Sequence, residues 1–582
     1  MTIERFVESA GRPISRTRSF TVVAQDPSVH ISRDDPRVLT GVAAIPSERY
    51  LPGPRGGRFQ VVDVDATSGA VGVPSLMAMT EPAQDPVATS AASGVFDATA
   101  RAQNLYVTAA RTLAGFERAL GRRIPWSFAG HQLYLVPAAF YEAQAYYDPP
   151  SNAILFGAFG GKADGTGRSY TSLSHDIVAH ETTHAILDGM RHRFTEPGLP
   201  DQAAFHEAFA DIVALLSVFS LKEVPRRLLD RAGVGDWLPA EMVSADALAE
   251  SALFGLAEEL GAADADHHGD ALRRSVKLPP STTYLSDPYY LEPHARGEIL
   301  VAAVAQTLLR IWHERLDSLH RQNTPISTAR AAEEGAKAAA HLLDMCIRAI
   351  DYTPPIEFLF ADFLDAIIAS DREVAPDDEH HYRDILIEAF GEYGIVPPAQ
   401  GVHDVSTTAG HLDYSALHLD ELKTDDNEVF RFVWENAPAL EIKTEYYLSV
   451  ESVEPARRVG PDGFVVYESA ASYVQLLDGT LEALTKLATE QGGRFVIPDG
   501  VAATEHLQIQ GGGALIFDEF GRAKFHQRKA IFDWDRQSAR LAYLVDRATR
   551  DRKGRFGFSD GLAGGARFRA LHEPAEIVAE TW

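Results

Sequence analysis

Hydrophobic and polar residues along residues 1–95 alternate in the way typical of β-strands. The stretch RFQVVDVDATSGAVGV, residues 58–73, predicts a strand, a turn and a second strand around a glycine-containing connection. Residues 81–94, EPAQDPVATSAASG, are rich in proline, alanine, serine and threonine, which predicts a linker. We therefore expect a β-rich N-terminal accessory domain over residues 1–95.

A helical period replaces this alternation after the linker. Apolar residues in 96–121, FDATARAQNLYVTAARTLAGFERALG, recur at helical spacing, whereas residues 131–157 are β-prone. Helical patterns then dominate from residue 171 to about 396. The pattern predicts a central domain, residues 96–398, with a β-containing part followed by a mainly helical part.

The character of the sequence changes again after VPPAQG. The stretches EYYLSV, GFVVYE and ALIFDEFGRAKFH predict strands, with DEFG turning a hairpin, and residues 473–491 predict a helix. These elements predict a C-terminal α/β accessory domain, residues 399–582. The fold class that we expect is α+β with several domains.

Composition and charge argue against some classes of binding partner and indicate a cellular compartment. The 582 residues carry a formal charge of −28, which argues against nucleic acid or an anionic membrane as the main partner. The single cysteine, Cys346, cannot form an internal disulfide. The N-terminus lacks the apolar core of a secretory signal, and no apolar run is long enough to span a membrane. We expect a cytoplasmic protein.

The stretch AHETTHAILDG, residues 179–189, carries the first candidate chemistry. His180 and His184 are four residues apart, so on a helix they project from one face, one turn apart. Two imidazoles at this spacing can bind one zinc ion, and Glu181 can approach the open side of the metal without ligating it. An ordinary amphipathic helix with polar residues remains the alternative at this point.

A second helical stretch, QAAFHEAFADIVALLSVF, strengthens the metal interpretation. Glu207 and Asp211 again share one helix face, and a catalytic zinc needs a third protein ligand. Glu207 suits that role, while Asp211 can accept the other N–H of a zinc-bound histidine. The alternative is a solvated acidic face, which is less favourable in so apolar a helix.

Together these motifs resemble those of thermolysin-like metallopeptidases of the gluzincin group. DIVAHETTHAILD resembles the D-x-x-x-H-E-x-x-H-A-x-x-D helix of that family, and HEAFAD resembles its E-A-x-x-D motif. The resemblance implies that His180, His184 and Glu207 bind Zn²⁺. It also implies that Glu181 is the general base and that Asp211 is an outer partner of the metal ligands.

Further stretches extend the resemblance over about residues 97–397. GDALRRS resembles a segment whose arginine holds a substrate carbonyl, which implies that role for Arg273. LEPHARGEILVAA resembles a segment whose histidine stabilises the oxyanion, which implies that role for His294. AYYDPPSNAILFG, residues 145–157, resembles the edge strand and hairpin along which the peptide lies. The last helices of the region resemble the closing helices of the family.

The sequence also departs from the family pattern. Gln144 stands before Ala145 where the family has an asparagine, so this pair is expected to bind the substrate backbone with a different reach. The family's oxyanion tyrosine is missing, and an alignment puts Arg193 in its place. The G-x-M-E-N motif of the aminopeptidase branch is absent, which favours an endopeptidase.

The expected function is therefore that of a zinc-dependent endopeptidase. It would hydrolyse peptide bonds through a metal-activated water with Glu181 as general base, in a β-containing lobe joined to a helical lobe. Its partner would be a peptide or protein substrate, neither nucleic acid nor membrane. Two alternatives remain, a zinc-binding regulatory or scaffold protein with little turnover, and a zinc hydrolase of non-peptide amides.

Overall fold

A computed structural model describes most of the chain, and its elements are mixed α and β. The described residues are 17–24, 30–32, 35–64, 70–75, 85–160, 168–196, 198–231, 235–238, 268–321, 326–397, 412–460 and 463–550. The strands among them are β1 (Thr17–Val23), β2 (His30–Ser32), β3 (Asp35–Val38), β4 (Thr40–Pro46), β5 (Phe59–Val61), β6 (Leu133–Phe140), β7 (Ala145–Asp148), β8 (Ala153–Gly160), β9 (Arg168–Tyr170), β10 (Tyr447–Val459), β11 (Val465–Thr480), β12 (His506–Phe517) and β13 (Ala523–Lys529). The helices are α1 (Pro86–Ser93), α2 (Ala98–Leu120), α3 (His175–Met190), α4 (Pro200–Phe219), α5 (Glu223–Arg231), α6 (His268–Lys277), α7 (Pro293–Arg321), α8 (Thr328–Tyr352), α9 (Phe360–Val374), α10 (Tyr382–Gly391), α11 (Asp426–Glu435), α12 (Leu481–Glu490) and α13 (Trp534–Arg550).

The central sheet has the strand order β5-β6-β8-β7, and β9 also pairs with β8. Strands β5, β6 and β8 are parallel, whereas β7 runs antiparallel to β8 and forms the edge next to it. The β7–β8 hairpin turns through the short 3₁₀ helix Pro149–Ser151, and Asn152 ends that helix in the left-handed region. The predicted edge strand and hairpin over residues 145–157 are confirmed.

The described part of residues 1–95 joins the central domain instead of standing apart from it. Strand β4 alternates buried and exposed residues, and its buried face packs with β1 on α2. Phe20 and Val22 of β1 belong to the same hydrophobic core as Phe59 of β5, and β5 pairs directly with β6. The sheet and the core thus both cross the predicted boundary at residue 95.

Part of the predicted linker is a helix. The stretch 86–93 forms α1, with Pro86 in its first turn. The Asp85 carboxylate accepts hydrogen bonds from the amides of Val87 and Ala88, and Gly94 ends the helix at φ 71°. The linker prediction was wrong at these residues, because a small, helix-permissive segment between a capping aspartate and a glycine packs against α2.

Helices α3 and α4 form the centre of the helical part. Every residue from His175 to Leu187 is buried, and α4 is buried along most of its length. Because both helices are covered on nearly all sides, they lack the one-sided apolar stripe of a surface helix. By length and composition Pro200–Phe219 is apolar enough to cross a membrane, but most of it is buried inside the protein, as in a soluble core helix.

The C-terminal sheet has the antiparallel order β10-β11-β12-β13. The predicted strands at EYYLSV, GFVVYE and ALIFDEFGRAKFH are confirmed, and residues 518–521 turn the β12–β13 hairpin. The predicted helix over 473–491 was half wrong, because 473–480 continue β11 and α12 begins only at Leu481. An apolar run in a strand paired on both sides shows no period that separates it from a helix.

Buried ion pairs attach the C-terminal sheet to the helical part. Asp351, near the end of α8, accepts hydrogen bonds from Arg122 and from Arg458 of β10. Next to it, the Tyr352 hydroxyl donates to Glu468 of β11 at 2.8 Å. Asp351 and Glu468 are both buried. Removing one partner from such a cluster leaves an uncompensated buried charge, so these pairs fix the sheet against α8.

Candidate metal centre

Helix α3 presents a buried group of possible metal ligands. His180, Glu181 and His184 each offer a ligand atom, and these atoms lie within 4.8 Å of one another. The hydroxyls of Thr182 and Thr183 donate to backbone carbonyls one turn earlier, which satisfies two polar groups buried on the same helix. A buried His-Glu-His group at this spacing could hold a metal ion.

Glu207 of α4 completes the group from the neighbouring helix. The Nε2 atoms of His180 and His184 face each other at 2.9 Å. Oε2 of Glu207 lies 3.4 Å from His180 Nε2, and Oε1 lies 3.4 Å from His184 Nε2. The three predicted ligands therefore direct their donor atoms at one point between α3 and α4.

The charges of this group fit a cation. Burial raises the pKa of Glu181, His180 opposes that effect and the Glu207 carboxylate adds to it, and the net result is a pKa of about 8. Burial also raises the pKa of Asp211. Burial disfavours protonation of His180, but its hydrogen bonds to Asp211 and Glu207 outweigh that effect and raise its pKa well above the usual value. Crowded carboxylates and imidazoles in a buried place are unfavourable by themselves, and a divalent cation would relieve that cost.

The other ring nitrogens of both histidines have partners. His180 Nδ1 lies 2.9 Å from Asp211 Oδ1, which is the contact that the i, i+4 spacing of Glu207 and Asp211 predicts. His184 Nδ1 shares a hydrogen bond of 2.7 Å with Nδ1 of His206. Such partners fix the ring orientation and the tautomer of metal-binding histidines. Sequence reasoning missed His206, although it directly precedes Glu207.

Glu181 is held by the edge strand of the central sheet. The backbone N–H of Tyr147 donates to Glu181 Oε2 at 3.0 Å. The Tyr147 hydroxyl is hydrogen bonded to Asp188, in the last turns of α3, and to Ser127. The strand and the helix are therefore joined at two points, and the carboxylate of Glu181 lies beside the backbone of β7.

The register of β7 orients its backbone groups. Gly157 N–H donates to the Gln144 carbonyl, so these two residues form a hydrogen-bonded pair of the antiparallel ladder. Because such pairs alternate with non-hydrogen-bonded ones, the N–H and C=O of Ala145 and Tyr147 point away from β8. The Tyr147 N–H meets Glu181 on that side, and the backbone of Ala145 therefore faces the same side.

His294 lies at the start of α7 and has a carboxylate partner. Its Nδ1 is 2.8 Å from Glu292 Oε1, and its side chain is 38% exposed. Burial disfavours the charged form of Glu292, but the hydrogen bond with His294 outweighs it and lowers the pKa of Glu292. Glu292 was not singled out from the sequence.

Two predicted residues make other contacts. Arg193 donates to Glu451 of β10 through Nε at 2.8 Å and to Glu196 through Nη1. These contacts assign it to the boundary with the C-terminal sheet, and its expected oxyanion role stays a prediction. The Gln144 carbonyl accepts from Gly157 and from Thr171, while its side chain is half-buried. Its binding of substrate also stays a prediction.

A small cleft opens beside the metal-binding group. Its polar wall includes His180, Glu181 and Asp211, and its apolar wall consists of Ile177, Ala214 and Leu272. Arg273 follows Leu272 on α6, but its side chain lies outside the described residues, so its predicted contact with a substrate carbonyl stays a prediction.

Neither the comparison with protein-family models nor that with curated proteins finds a match for this chain. The functional assignment therefore rests on the geometry of the site and on the residues that form it.

Proposed function

We propose that this chain is a zinc-dependent endopeptidase with Glu181 as general base. The observation that carries the proposal is the hydrogen bond of 3.0 Å from the Tyr147 amide to Glu181, because it places an edge strand beside the proposed base. The edge strand β7 is thereby hydrogen bonded to the proposed base, on the same helix as the proposed ligands His180 and His184. This arrangement supports a thermolysin-like organisation, with a β-containing lobe and a helical lobe that meet at the metal.

The donor set favours zinc. In a tetrahedral site with zinc–ligand bonds of about 2.0–2.1 Å, ligand atoms lie about 3.3 Å apart. The His180–His184 separation of 2.9 Å and the two Glu207 separations of 3.4 Å are close to that value. Two histidines and one carboxylate are also a ligand set of catalytic zinc sites, which leave a fourth position open.

The chain's own groups supply the proton transfers. A bound zinc ion would polarise the substrate carbonyl and acidify a water molecule. Glu181, oriented by the Tyr147 amide, takes a proton from the attacking water and delivers it to the departing amine nitrogen.

A peptide is the substrate that this cleft fits best. Ala145 directs its backbone N–H and C=O to the side where Glu181 lies, and an extended peptide can pair with them as an added strand. His294, oriented through Nδ1 by Glu292, would donate from Nε2 to the developing oxyanion. A peptide or protein in the cytoplasm is the partner that we propose.

One observation favours the alternative of a zinc-binding regulatory protein with little turnover. The Arg193 guanidinium donates to Glu451 and Glu196. An arginine held by two carboxylates is less available to replace the missing oxyanion tyrosine, which makes His294 the main candidate side chain for that role.

Peptide-library cleavage distinguishes these functions. Wild-type protein should cut internal bonds of peptides and should contain about one zinc ion per chain. Glu181→Gln should keep its zinc and lose cleavage. A wild-type protein that binds zinc but leaves the library uncut would favour the regulatory alternative, and one that binds no zinc would contradict both functions.

A further inference from the structure

The segment that joins the two metal-binding helices is held by the C-terminal sheet. Residues 191–199 connect α3, which carries His180 and His184, to α4, which carries Glu207. The path of this segment influences how the helices sit relative to each other. A ligand set shared by two helices depends on that relative position, because small displacements change metal–ligand distances.

Arg193 is the main contact between this segment and the sheet. Its Nε donates to Glu451 Oε2 at 2.8 Å, and the two side chains are only 17% and 15% exposed. Partial burial makes such an ion pair stronger than a fully solvated one. The backbone carbonyl of Arg193 also accepts from the Gln202 side chain at 2.9 Å. Gln202 lies in the first turn of α4, so the contact continues into the helix that carries Glu207.

A β-bulge directs Glu451 toward the segment. The β10–β11 register shifts between Val450 and Ser452, which leaves Glu451 as the extra residue. A bulge reorients the side chain of a strand residue and bends the strand locally. The next residue, Ser452, accepts a hydrogen bond through Oγ from Arg191, the residue that ends α3. Two consecutive residues of β10 thus contact Arg191 and Arg193, at the start of the turn His192–Thr195.

We infer that Glu451 and Arg193 are positioning residues for the metal site and that the C-terminal sheet is needed for its geometry. This inference rests on the proposed metal-binding function and gives the C-terminal domain a role in it. The pair acts through α3 and α4, since its contacts hold the segment between them. The sheet thereby keeps Glu207 within reach of the two histidines.

Metal affinity and coordination geometry test the inference on the full-length protein. We measure Zn²⁺ affinity by chelator competition and the visible absorption spectrum of the Co²⁺-substituted protein for Glu451→Ala, Arg193→Ala and the double variant. Each single variant should weaken Zn²⁺ binding about tenfold or more and should alter the Co²⁺ spectrum. The double variant should bind Zn²⁺ no more weakly than the single variant with the lower affinity. Both substitutions remove the same interaction, so their effects should not add.

The matched control breaks another ion pair of the same sheet. Lys524 of β13 pairs with Glu373 of α9 at 2.5 Å, away from the connecting segment. Glu373→Ala should therefore leave Zn²⁺ affinity and the Co²⁺ spectrum unchanged. If Glu451→Ala fails to fold, the milder Glu451→Gln replaces it in the test. This variant should also weaken Zn²⁺ binding.

The outcomes separate the two proposals. Wild-type affinity and spectrum in a folded Glu451 variant, or equal weakening by Glu373→Ala, would overturn the positioning role alone. Failure of the wild-type protein to bind Zn²⁺ or Co²⁺ would overturn the metal-binding function and the positioning role together.

Discussion

The amide of Tyr147 donates a hydrogen bond of 3.0 Å to the carboxylate of Glu181. This bond joins β7, the edge of the central sheet, to the helix that carries His180 and His184. It fixes one oxygen of Glu181 beside the nitrogens of the two histidines. Under the proposed function, this hydrogen bond would orient Glu181 as a base.

Glu181→Gln should abolish most of the turnover and preserve the metal. Glutamine keeps the shape of the side chain and can still accept the Tyr147 hydrogen bond, but it cannot take a proton. We expect kcat to fall about 10²–10⁴-fold, with metal content measured by atomic absorption unchanged. Glu482→Gln, at an exposed position of α12, is the control and should behave as wild type. Loss of metal with the fold intact would contradict the assignment of Glu181 as base.

Removing the outer partners of the histidines should weaken metal binding. If His184 and His180 bind the metal through Nε2, each must carry its proton on Nδ1, from which it can donate to His206 and Asp211 respectively. We expect Asp211→Ala and His206→Ala each to lower Zn²⁺ affinity about 10–100-fold in chelator competition. His206→Asn keeps a hydrogen-bond acceptor and should lose less Zn²⁺ affinity than His206→Ala. His341→Ala, on α8, is the control and should bind Zn²⁺ with wild-type affinity. Unchanged affinity in His206→Ala would contradict the role of His206 in the site.

His294→Ala should lower kcat with little effect on metal content. The ring contributes to stabilising the oxyanion, so its removal should cost about 10²–10³-fold in kcat. Glu292→Gln leaves a weaker partner for His294 Nδ1 and should produce a smaller loss in the same direction. Steady-state kinetics on one peptide substrate, with metal content measured in parallel, checks both. Full activity of His294→Ala would exclude the oxyanion role.

Ala145→Pro should weaken peptide binding while leaving the hairpin intact. The Ala145 N–H points away from β8, so proline removes no ladder hydrogen bond and is tolerated at such an edge position. Loss of one backbone hydrogen bond costs about 0.5–1.5 kcal/mol, which corresponds to about a two- to tenfold lower kcat/KM on extended peptides. Circular dichroism verifies the fold. An unchanged kcat/KM in the folded variant would argue against strand-like substrate binding at Ala145.

Asp351→Asn should destabilise the attachment of the C-terminal sheet in a pH-dependent way. Burial raises the pKa of Asp351, but Arg122, Arg458 and Arg191 outweigh that effect and lower it from 3.8 to about 2. The folded-state pKa lies below the unfolded one, so the ion pairs stabilise the protein above about pH 4 and the effect is lost as the pH falls toward about 2. We expect a loss of about 3–5 kcal/mol at neutral pH, measured by chemical denaturation.

The difference in stability between wild type and Asp351→Asn should shrink as the pH falls through that range. Asp344→Asn is the matched control, because Asp344 pairs with Arg118, whose side chain is 62% exposed, and should cost at most about 1 kcal/mol. Equal stability of Asp351→Asn and wild type at neutral pH would contradict the role of the buried pairs.

The sequence predicted those features of the site that local spacing determines. Residues four apart on a helix share a face, so the pairing of His180 with His184, and of Glu207 with Asp211, followed from the period alone. The sequence also predicted that Asp211 contacts one of the two histidines, and the structure identifies that histidine as His180. Parts of the C-terminal strands were likewise predictable from alternation and turn residues, whereas the β7–β8 hairpin was expected from the family resemblance.

Contacts between residues distant in the chain were decided by the tertiary structure. The Tyr147 amide reaches Glu181 because β7 lies at the sheet edge beside α3, and no periodicity encodes that distance. Arg193 lies near Glu451 because a bulge in β10 turns the carboxylate toward it. Residues 473–480 continue a strand because β12 pairs with all of them and β10 pairs with residues 473–476 on the other side. Local sequence limits each segment to a few conformations, whereas burial and pairing with remote segments select one of them.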